Sequence, residues 1–364
     1  MKTQLKSIVL ACAALFIAAG CNSDKFTITA NLKNLENQDA YLSSDSQNGE
    51  YFYLDTAKVE NGKFKFTGKM EHNDFRTITF QNMAGEIRLY MDNSKIRIDG
   101  DFAKLDSVKV EGSPAMDYFN GFNADEDRMR TFINERITIF NNAQAAKDTA
   151  TMEKISKEVK DMRLDYTKEL LKKVNEHPDD ILSFIVISNW LPLLNPDDLA
   201  DYYKKVPDYI KQDFRVGDFN SHLQENVIRL ARGAEVPHFS LEDLKSPGDS
   251  LTTENTVKGK TSALYVTVGQ MENNETIYPA LKKAKEKGVD VVVVLLFVDG
   301  DVPSKIAEYA KENGIEDFKI AKGTPAFAQS LAAYSPRVFF IDKDGKFIGT
   351  ALNAEQVESI TEKI

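Results

Sequence analysis

Few side chains in this sequence could carry out redox, metal or nucleophilic chemistry. The chain has two cysteines, Cys12 and Cys21, and both precede residue 22. Its histidines lack the three- to five-residue spacing of zinc sites; they are His72, His177, His222 and His238. The run Asp342-x-Asp344-Gly345 lacks the third ligand and the distal Glu of a calcium loop, and nothing resembles a nucleophile elbow. The sequence therefore predicts no metal site, no cofactor and no catalytic residue.

Cys21 is instead predicted to be a site of lipid attachment. Two lysines near the N-terminus are followed by the apolar run Ile8–Ile17 and then by Ala18-Ala19-Gly20-Cys21. A basic start, a short apolar segment and small residues before a cysteine are typical of a bacterial lipoprotein signal. We expect removal of residues 1–20, acylation of Cys21 and a short tether over residues 21–25, which leaves the mature chain without a free thiol. The alternative is an ordinary signal peptide with an incidental cysteine.

A second place where a thiol could become reactive is the loop before a predicted helix. The apolar run Ala263–Val268 predicts a strand, and a helix that contains Pro279 is predicted to begin near Asn273 or Asn274. A cysteine between a strand and a helix N-terminus has a lowered pKa, because the helix end stabilises the thiolate. The residues present here are Gln270, Met271, Glu272, Asn273 and Asn274. A thioether cannot attack a disulfide, whereas Asn is a good helix cap.

Three regions of different periodicity make up the chain. Over residues 26–112, short alternating runs and the Asn61-Gly62 turn predict an all-β sandwich or small barrel. Over residues 113–232, apolar residues recur every three or four positions, which predicts an α-helical connector that starts with an antiparallel hairpin. Over residues 233–364, strands alternate with helices, and the apolar run Val289–Val298 predicts a central strand. Val236–Leu241 predicts the first strand of this α/β region.

Three segments of the last region carry recognisable motifs. They are Gly233-x-x-Val236-Pro237-x-Phe239-x-Leu241, Lys258-Gly259-Lys260 and Tyr334-Ser335-Pro336-Arg337-Val338-Phe339-Phe340-Ile341-Asp342-Lys343-Asp344-Gly345-Lys346. Together they resemble the thioredoxin-like superfamily, in particular its bacterial membrane-associated thiol–disulfide oxidoreductases and peroxiredoxin-related modules. The resemblance implies a thioredoxin-like fold over residues 233–364. It also implies that Pro336 is the cis-proline that faces the active-site loop, with Ser335, Arg337 and Gln270 beside it in a groove.

The resemblance fails at the residues that would do the chemistry. When the family's helix proline is placed at Pro279, Met271 and Asn274 occupy the two cysteine positions of its C-x-x-C motif, with Glu272 and Asn273 between them. We therefore expect a degenerate site without thiol exchange of its own. The whole architecture also resembles lipoproteins of the Bacteroidota whose N-terminal β domain has no established function.

Three functions remain open from the sequence. The first is a lipid-anchored cell-envelope protein whose redox-inactive thioredoxin-like domain binds a polypeptide or acts as a scaffold. The second is an oxidoreductase-related protein that works with a thiol-bearing partner, and the third is a glycan or small-molecule binder that uses the β domain. The net charge of −10 argues against a nucleic-acid partner. Because Asp24 is the only acidic residue directly after Cys21, we favour the periplasmic face of the outer membrane and leave surface exposure open.

Overall fold

The protein is described by a computed structural model over residues 24–45, 51–268, 274–296, 305–331, 333 and 336–364. The chain divides into two compact units, of which the first ends at Asp117 and the second begins at Tyr118. The predicted fold class is confirmed, since a β-rich unit is followed by helices and then by an α/β sheet. In these ranges no helix is both long enough and apolar enough to cross a membrane. The predicted domain limits at residues 112 and 232 remain predictions.

The first unit is built from two four-stranded sheets with the orders β4-β1-β7-β8 and β3-β2-β5-β6. Strands β1 and β7 are parallel, and the remaining pairs are antiparallel. The strands are β1 (Phe26–Lys33), β2 (Asp39–Asp45), β3 (Tyr51–Lys58), β4 (Lys63–Gly68), β5 (Asp74–Phe80), β6 (Glu86–Met91), β7 (Lys95–Asp101) and β8 (Lys109–Glu111).

The core of the first unit lies between its two sheets. Ile28 from one sheet and Leu42 and Ile78 from the other belong to the same buried cluster, so the predicted β-sandwich is present. The turn before β4 has the backbone that the sequence predicts. Asn61 and Gly62 have φ angles of 54° and 75°, which a type I′ hairpin turn requires at both central positions.

The second unit begins with a helical region, and its first two helices form the predicted antiparallel hairpin. Arg136 donates to Glu158 at 2.7 Å, and Lys173 pairs with Asp125, so the two helices run in opposite directions. The Asp148 side chain caps the second helix by accepting from the Thr151 N–H at 3.0 Å. The helices are α1 (Pro114–Ala146), α2 (Thr149–Glu176), α3 (Ile181–Ser188), α4 (Pro196–Tyr203), α5 (Asp208–Lys211) and α6 (Gly217–Asn226).

The rest of the second unit is an α/β sheet with helices on both faces. Its strand order is β10-β9-β13-β12-β11-β14-β15, and β12 is parallel to both of its neighbours. The elements are β9 (Ser240–Asp243), β10 (Ser250–Thr252), α7 (Thr253–Thr256), β11 (Ser262–Val268), α8 (Asn274–Glu286), β12 (Asp290–Leu296), α9 (Ile306–Glu312), β13 (Lys319–Gly323), α10 (Pro325–Ser330), β14 (Arg337–Ile341), β15 (Phe347–Ala351) and α11 (Ala354–Thr361).

Alternate residues of each central strand enter two separate cores. Tyr265 and Val338 pack with α8 on one face, whereas Val266 and Phe339 pack with residues of α10 on the other. The prediction that the first strand starts at Val236 is wrong, since β9 starts at Ser240. The Val236 N–H bonds to the Gly345 carbonyl instead, and Pro237 has no N–H for a strand ladder.

Candidate functional site at the start of helix α8

Helix α8 begins at Asn274, a position that the sequence places at the second cysteine of a degenerate C-x-x-C motif. Strand β11 ends at Val268, and α8 runs from Asn274 to Glu286 with Pro279 inside it. The Asn274 side chain points inward and is only 3% exposed. A buried amide is stable only when its polar atoms find partners, so the neighbours of Asn274 determine what this position can do.

Three tyrosines and one threonine surround the Asn274 amide. Tyr265 donates to its Oδ1 at 2.8 Å, and the Thr267 hydroxyl lies 3.5 Å from the same oxygen. The Asn274 Nδ2 donates to the Tyr309 hydroxyl at 3.2 Å. The hydroxyls of Tyr278 and Tyr309 are 2.6 Å apart. We call these five residues the tyrosine–asparagine cluster. The cluster joins β11, the first two turns of α8, and α9.

The phenols of this cluster stay protonated at any physiological pH. Burial raises the pKa of Tyr265 and of Tyr278, because a phenolate would lose its hydration inside the protein. Burial likewise raises the pKa of Tyr309. Neutral phenols and a neutral amide can exchange hydrogen bonds but supply neither a nucleophile nor a redox group. The cluster therefore fixes the start of α8 and performs no covalent chemistry.

The other residues predicted for the site are only partly described. Cys21, Gln270, Met271, Glu272, Asn273 and Ser335 lie outside the described residues, and so does the Ser335–Pro336 peptide bond on which the cis-proline prediction depends. Pro336 is partly buried, and Arg337 is 2% exposed. Arg337 pairs with Val266, so it lies on the opposite face of the sheet from Tyr265. The strand pairing thus separates Arg337 from the tyrosine–asparagine cluster.

A cleft of about 1050 Å³ opens beside the start of α8. One wall is the N-terminal half of α2 together with Phe140 of α1, and the other consists of the ends of three elements of the α/β sheet. These ends are the start of α8 from Asn274, the end of α9 at Glu312, and the start of α11 at Ala354. We call this concavity the α2–α8 cleft. Asn274 is the one predicted site residue among the described residues that line it.

The lining of the cleft mixes charges of both signs with apolar patches. Lys154 and Lys157 face it from α2, and Glu275 and Glu355 from the α/β side. Phe140, Met152 and Leu164 supply apolar surface. The α2 wall could not be predicted from the sequence, because the placement of a connector helix opposite the first turn of α8 leaves no local pattern. Within the part of the chain that the structure describes, no cluster of His, Cys, Asp or Glu could hold a metal ion.

Two family models match different parts of this chain. The model described as Redoxin matches residues 231–364. A model described as a domain of unknown function, DUF4369, matches residues 26–119. A search of curated proteins gave no match.

Solved structures with a similar fold come from several bacteria. The thioredoxin domain of a thiol-disulfide oxidoreductase from Bacteroides vulgatus is 17% identical over 37% of this chain and 97% of its own, with a TM-score of 0.32. A thiol:disulfide interchange protein from Chlorobium tepidum is 18% identical over 36% of this chain and 97% of its own, with a TM-score of 0.29. A thiol:disulfide interchange protein from a Bacteroides species is 17% identical over 37% of this chain and 90% of its own, with a TM-score of 0.31.

The family matches agree with the fold that the sequence motifs imply. The Redoxin match covers the sheet from β9 to β15 and the tyrosine–asparagine cluster, and the DUF4369 match covers the whole β-sandwich. Residues 231–364 therefore combine a match to the Redoxin model with the thioredoxin-like fold that the motifs predicted, and residues 26–119 match the DUF4369 model.

Proposed function

We propose that this chain is a lipid-anchored cell-envelope protein whose redox-inactive thioredoxin-like domain binds a polypeptide in the α2–α8 cleft. One observation carries the proposal. At the position where the family resemblance expects a cysteine, the Asn274 amide is buried and bonded to Tyr265 and Tyr309. Since no cysteine follows Cys21 in the sequence, the domain keeps the scaffold of a thiol enzyme without its thiols.

The α2–α8 cleft suits a polypeptide better than a single small molecule. Its volume of about 1050 Å³ is at the upper end of the range for ligand pockets, which is roughly 300–1,000 Å³. Apolar patches such as Phe140 and Met152 can cover side chains.

The anchoring part of the proposal is supported by the sequence motif before Cys21. Acylation at this residue would add apolar chains at about 0.8 kcal/mol per buried CH₂, which holds the protein durably at a membrane. We place it at the periplasmic face of the outer membrane. Mass spectrometry of the purified native protein tests this point, because an unmodified residue 21 or an intact signal segment would contradict it.

Redox inactivity is tested by an insulin-reduction assay on the full mature chain. The expected rate equals the rate of dithiothreitol alone, because the chain supplies no exchangeable thiol. An engineered variant with Met271→Cys and Asn274→Cys serves as a positive reference for the scaffold. Clear turnover by the unaltered chain together with a thiol-bearing partner would favour the oxidoreductase-related alternative instead.

Polypeptide binding is tested with an array of short peptides and two matched alanine variants. Ala150 and Ala145 are both exposed and lie on either side of the α1–α2 turn, but only Ala150 is among the residues that line the cleft. Ala150→Trp should fill the cleft and weaken binding by about tenfold or more, since tenfold corresponds to only 1.4 kcal/mol. Ala145→Trp should bind like the unaltered chain. Equal binding by both variants, or no peptide bound at all, would overturn the proposal.

A further inference from the structure

The first unit exposes a short apolar segment on its outermost strand. Phe52, Tyr53 and Leu54 of β3 are 63%, 62% and 46% exposed, although scattered single apolar residues are the usual pattern on a protein surface. The Tyr53 ring lies edge-on to Tyr41 of the neighbouring strand, with 5.4 Å between ring centroids. We call Phe52, Tyr53 and Leu54 the β3 patch.

The β3 patch sits where the sheet has an open edge. Strand β3 is the first in the order β3-β2-β5-β6, so among the described strands it pairs with β2 alone. A register shift between Leu42 and Ser43 leaves Leu54 of the patch without a partner residue in β2. A bulge at this place turns the edge away from regular strand addition. The patch is therefore poorly suited to pairing with another strand. Any partner of the patch is expected to contact its side chains and not its backbone.

The pairing registers place the β3 patch at the same end of the sandwich as the start of β1. In one sheet, Phe26 lies opposite Gly68, the last residue of β4. Strand β3 leads through a tight turn into β4, so the first residues of β3 lie toward the end where β4 finishes. In the other sheet Phe52 pairs with Ser44, near the end of β2. Phe26 and Phe52 thus mark one end of the molecule's first unit.

The chain reaches that end directly from its predicted lipid anchor, and here the inference rests on the proposed acylation of Cys21. Phe26 is the fifth residue after Cys21 in the sequence. At roughly 3.3–3.6 Å per residue, these five steps span at most about 18 Å. An anchor this short holds the Phe26 end of the sandwich close to the surface of the membrane, and the β3 patch lies at that end.

We propose that Phe52, Tyr53 and Leu54 insert into the interfacial layer of the membrane that carries the lipid anchor. Aromatic side chains with a polar tip favour the water–lipid boundary, and Phe and Leu favour its apolar side. Asp45 at the end of β2 is paired with Arg88 at 3.2 Å, which moderates the cost of bringing this carboxylate near lipid. Exposed Lys25, Lys69 and Lys95 are near Phe26 in sequence or in strand register, and so are Asp24 and Glu71, so charges of both signs surround this end.

The test uses a fluorescent label at residue 53 on phosphatidylcholine vesicles. Tyr53→Cys is labelled with bimane in the full chain, and Tyr209→Cys is the control, since Tyr209 is a 40% exposed aromatic residue of the second unit. Brominated acyl chains should quench the label at residue 53 at least about twofold more than the control, because interfacial side chains sit roughly 5–10 Å into the headgroup boundary. Equal quenching at both positions would overturn the inference.

A second form of the protein separates this inference from the anchor itself. The chain with Cys21→Ser is tethered to nickel-chelating lipid through an N-terminal His tag, so the label reports on the surface even if native Cys21 is not acylated. Mass spectrometry of the native protein tests acylation independently. A label at residue 53 that is shielded without lipid, together with dimers in sedimentation, would assign the patch to a second copy of this chain and contradict the membrane contact.

Discussion

The start of α8 and the β3 patch are opposite departures from the usual distribution of polar and apolar groups. At α8, the Asn274 amide and the phenols of Tyr265 and Tyr278 are buried, and the partly buried Tyr309 completes the hydrogen-bonded cluster. At β3, two aromatic rings and a leucine face solvent. Buried polar groups and exposed apolar patches are the informative exceptions in a globular protein. We interpret the first as a structural network and the second as the surface of the membrane contact proposed above.

The two regions also differ in how they would respond to change. A protein loses stability when one member of a buried hydrogen-bonded network is removed. The remaining polar groups are still buried away from water but have lost a hydrogen-bond partner. An exposed patch contributes little to folding, so its removal should affect association alone. Four measurements test this contrast.

The largest expected effect is that of Asn274→Leu. The substitution keeps the branching of the side chain but removes the amide to which Tyr265 donates, so we expect the free energy of unfolding to fall by about 2–4 kcal/mol. Urea unfolding followed by the fluorescence of Trp190, the one tryptophan of the chain, measures it in the second unit. Adding Tyr265→Phe should recover part of the loss, and exposed Asn142→Ala should have little effect. A loss below that of Asn142→Ala would contradict the structural role.

Alkaline pH should destabilise the second unit through the same cluster. The folded-state pKa values of Tyr265 and Tyr278 are raised above the ordinary value of 10.0, so the folded state holds these protons more tightly. The stability that these two protonated tyrosines give the folded state is complete below pH 10. It is lost as pH rises toward their folded-state pKa values, at about 1.4 kcal/mol per tyrosine per pH unit. Unfolding of Tyr278→Phe should show a shallower pH slope, and the exposed, non-titrating substitution Asn142→Ala an unchanged one. Identical slopes for both would exclude the cluster as the cause.

A thiol placed at residue 274 should be slow to react. Asn274 is 3% exposed whereas Glu275 beside it is exposed, so Asn274→Cys should react with Ellman's reagent about tenfold or more slowly than Glu275→Cys, since reaction needs local opening. Both variants carry Cys21→Ser, and their rates should converge in urea. A fast native reaction at residue 274 would show that the start of α8 is open in solution.

The smallest expected effect is that of removing the β3 patch. The double substitution Phe52→Ser and Leu54→Ser should change the free energy of unfolding of the first unit by less than about 0.5 kcal/mol, as exposed substitutions usually do. Phe64→Ala, at a core position that is 5% exposed, should instead cost about 3–5 kcal/mol. Calorimetry of the full chain measures both. A large loss for the double variant would mean that the patch packs within the fold.

Local sequence signals predicted much of the fold. The Asn61-Gly62 turn is present, and the apolar run Val289–Val298 contains the buried strand β12. These features depend on residues close together in the sequence, where backbone preference and periodicity act directly. The exposure of Phe52 could not be predicted in this way, because it depends on which strand forms the edge of a sheet. Strand order is set by long-range pairing that leaves no local pattern.

The candidate site was predicted in part for the same reason. A capping residue after an apolar strand predicts a helix start near Asn273 or Asn274, and Asn274 is the first described residue of α8. The partners of Asn274 were not predicted. Tyr309 is 35 residues away in sequence, and a tyrosine in a helix is ordinarily expected to pack in the hydrophobic core. The predicted groove residue Arg337 pairs with Val266 and so lies on the other face of the sheet.

The position of β1 between β4 and β7 has a mechanical consequence for a protein held by its N-terminus. Tension applied through residue 25 acts along β1. It therefore shears the hydrogen bonds of β1 to both β4 and β7 at the same time. Hydrogen bonds that cross between strands resist such a load together, whereas an edge strand peeled from its end would release them one at a time. A sandwich tethered through this central strand should withstand pulling far better than one tethered through β8, and single-molecule force measurements with the two attachment points would reveal the difference.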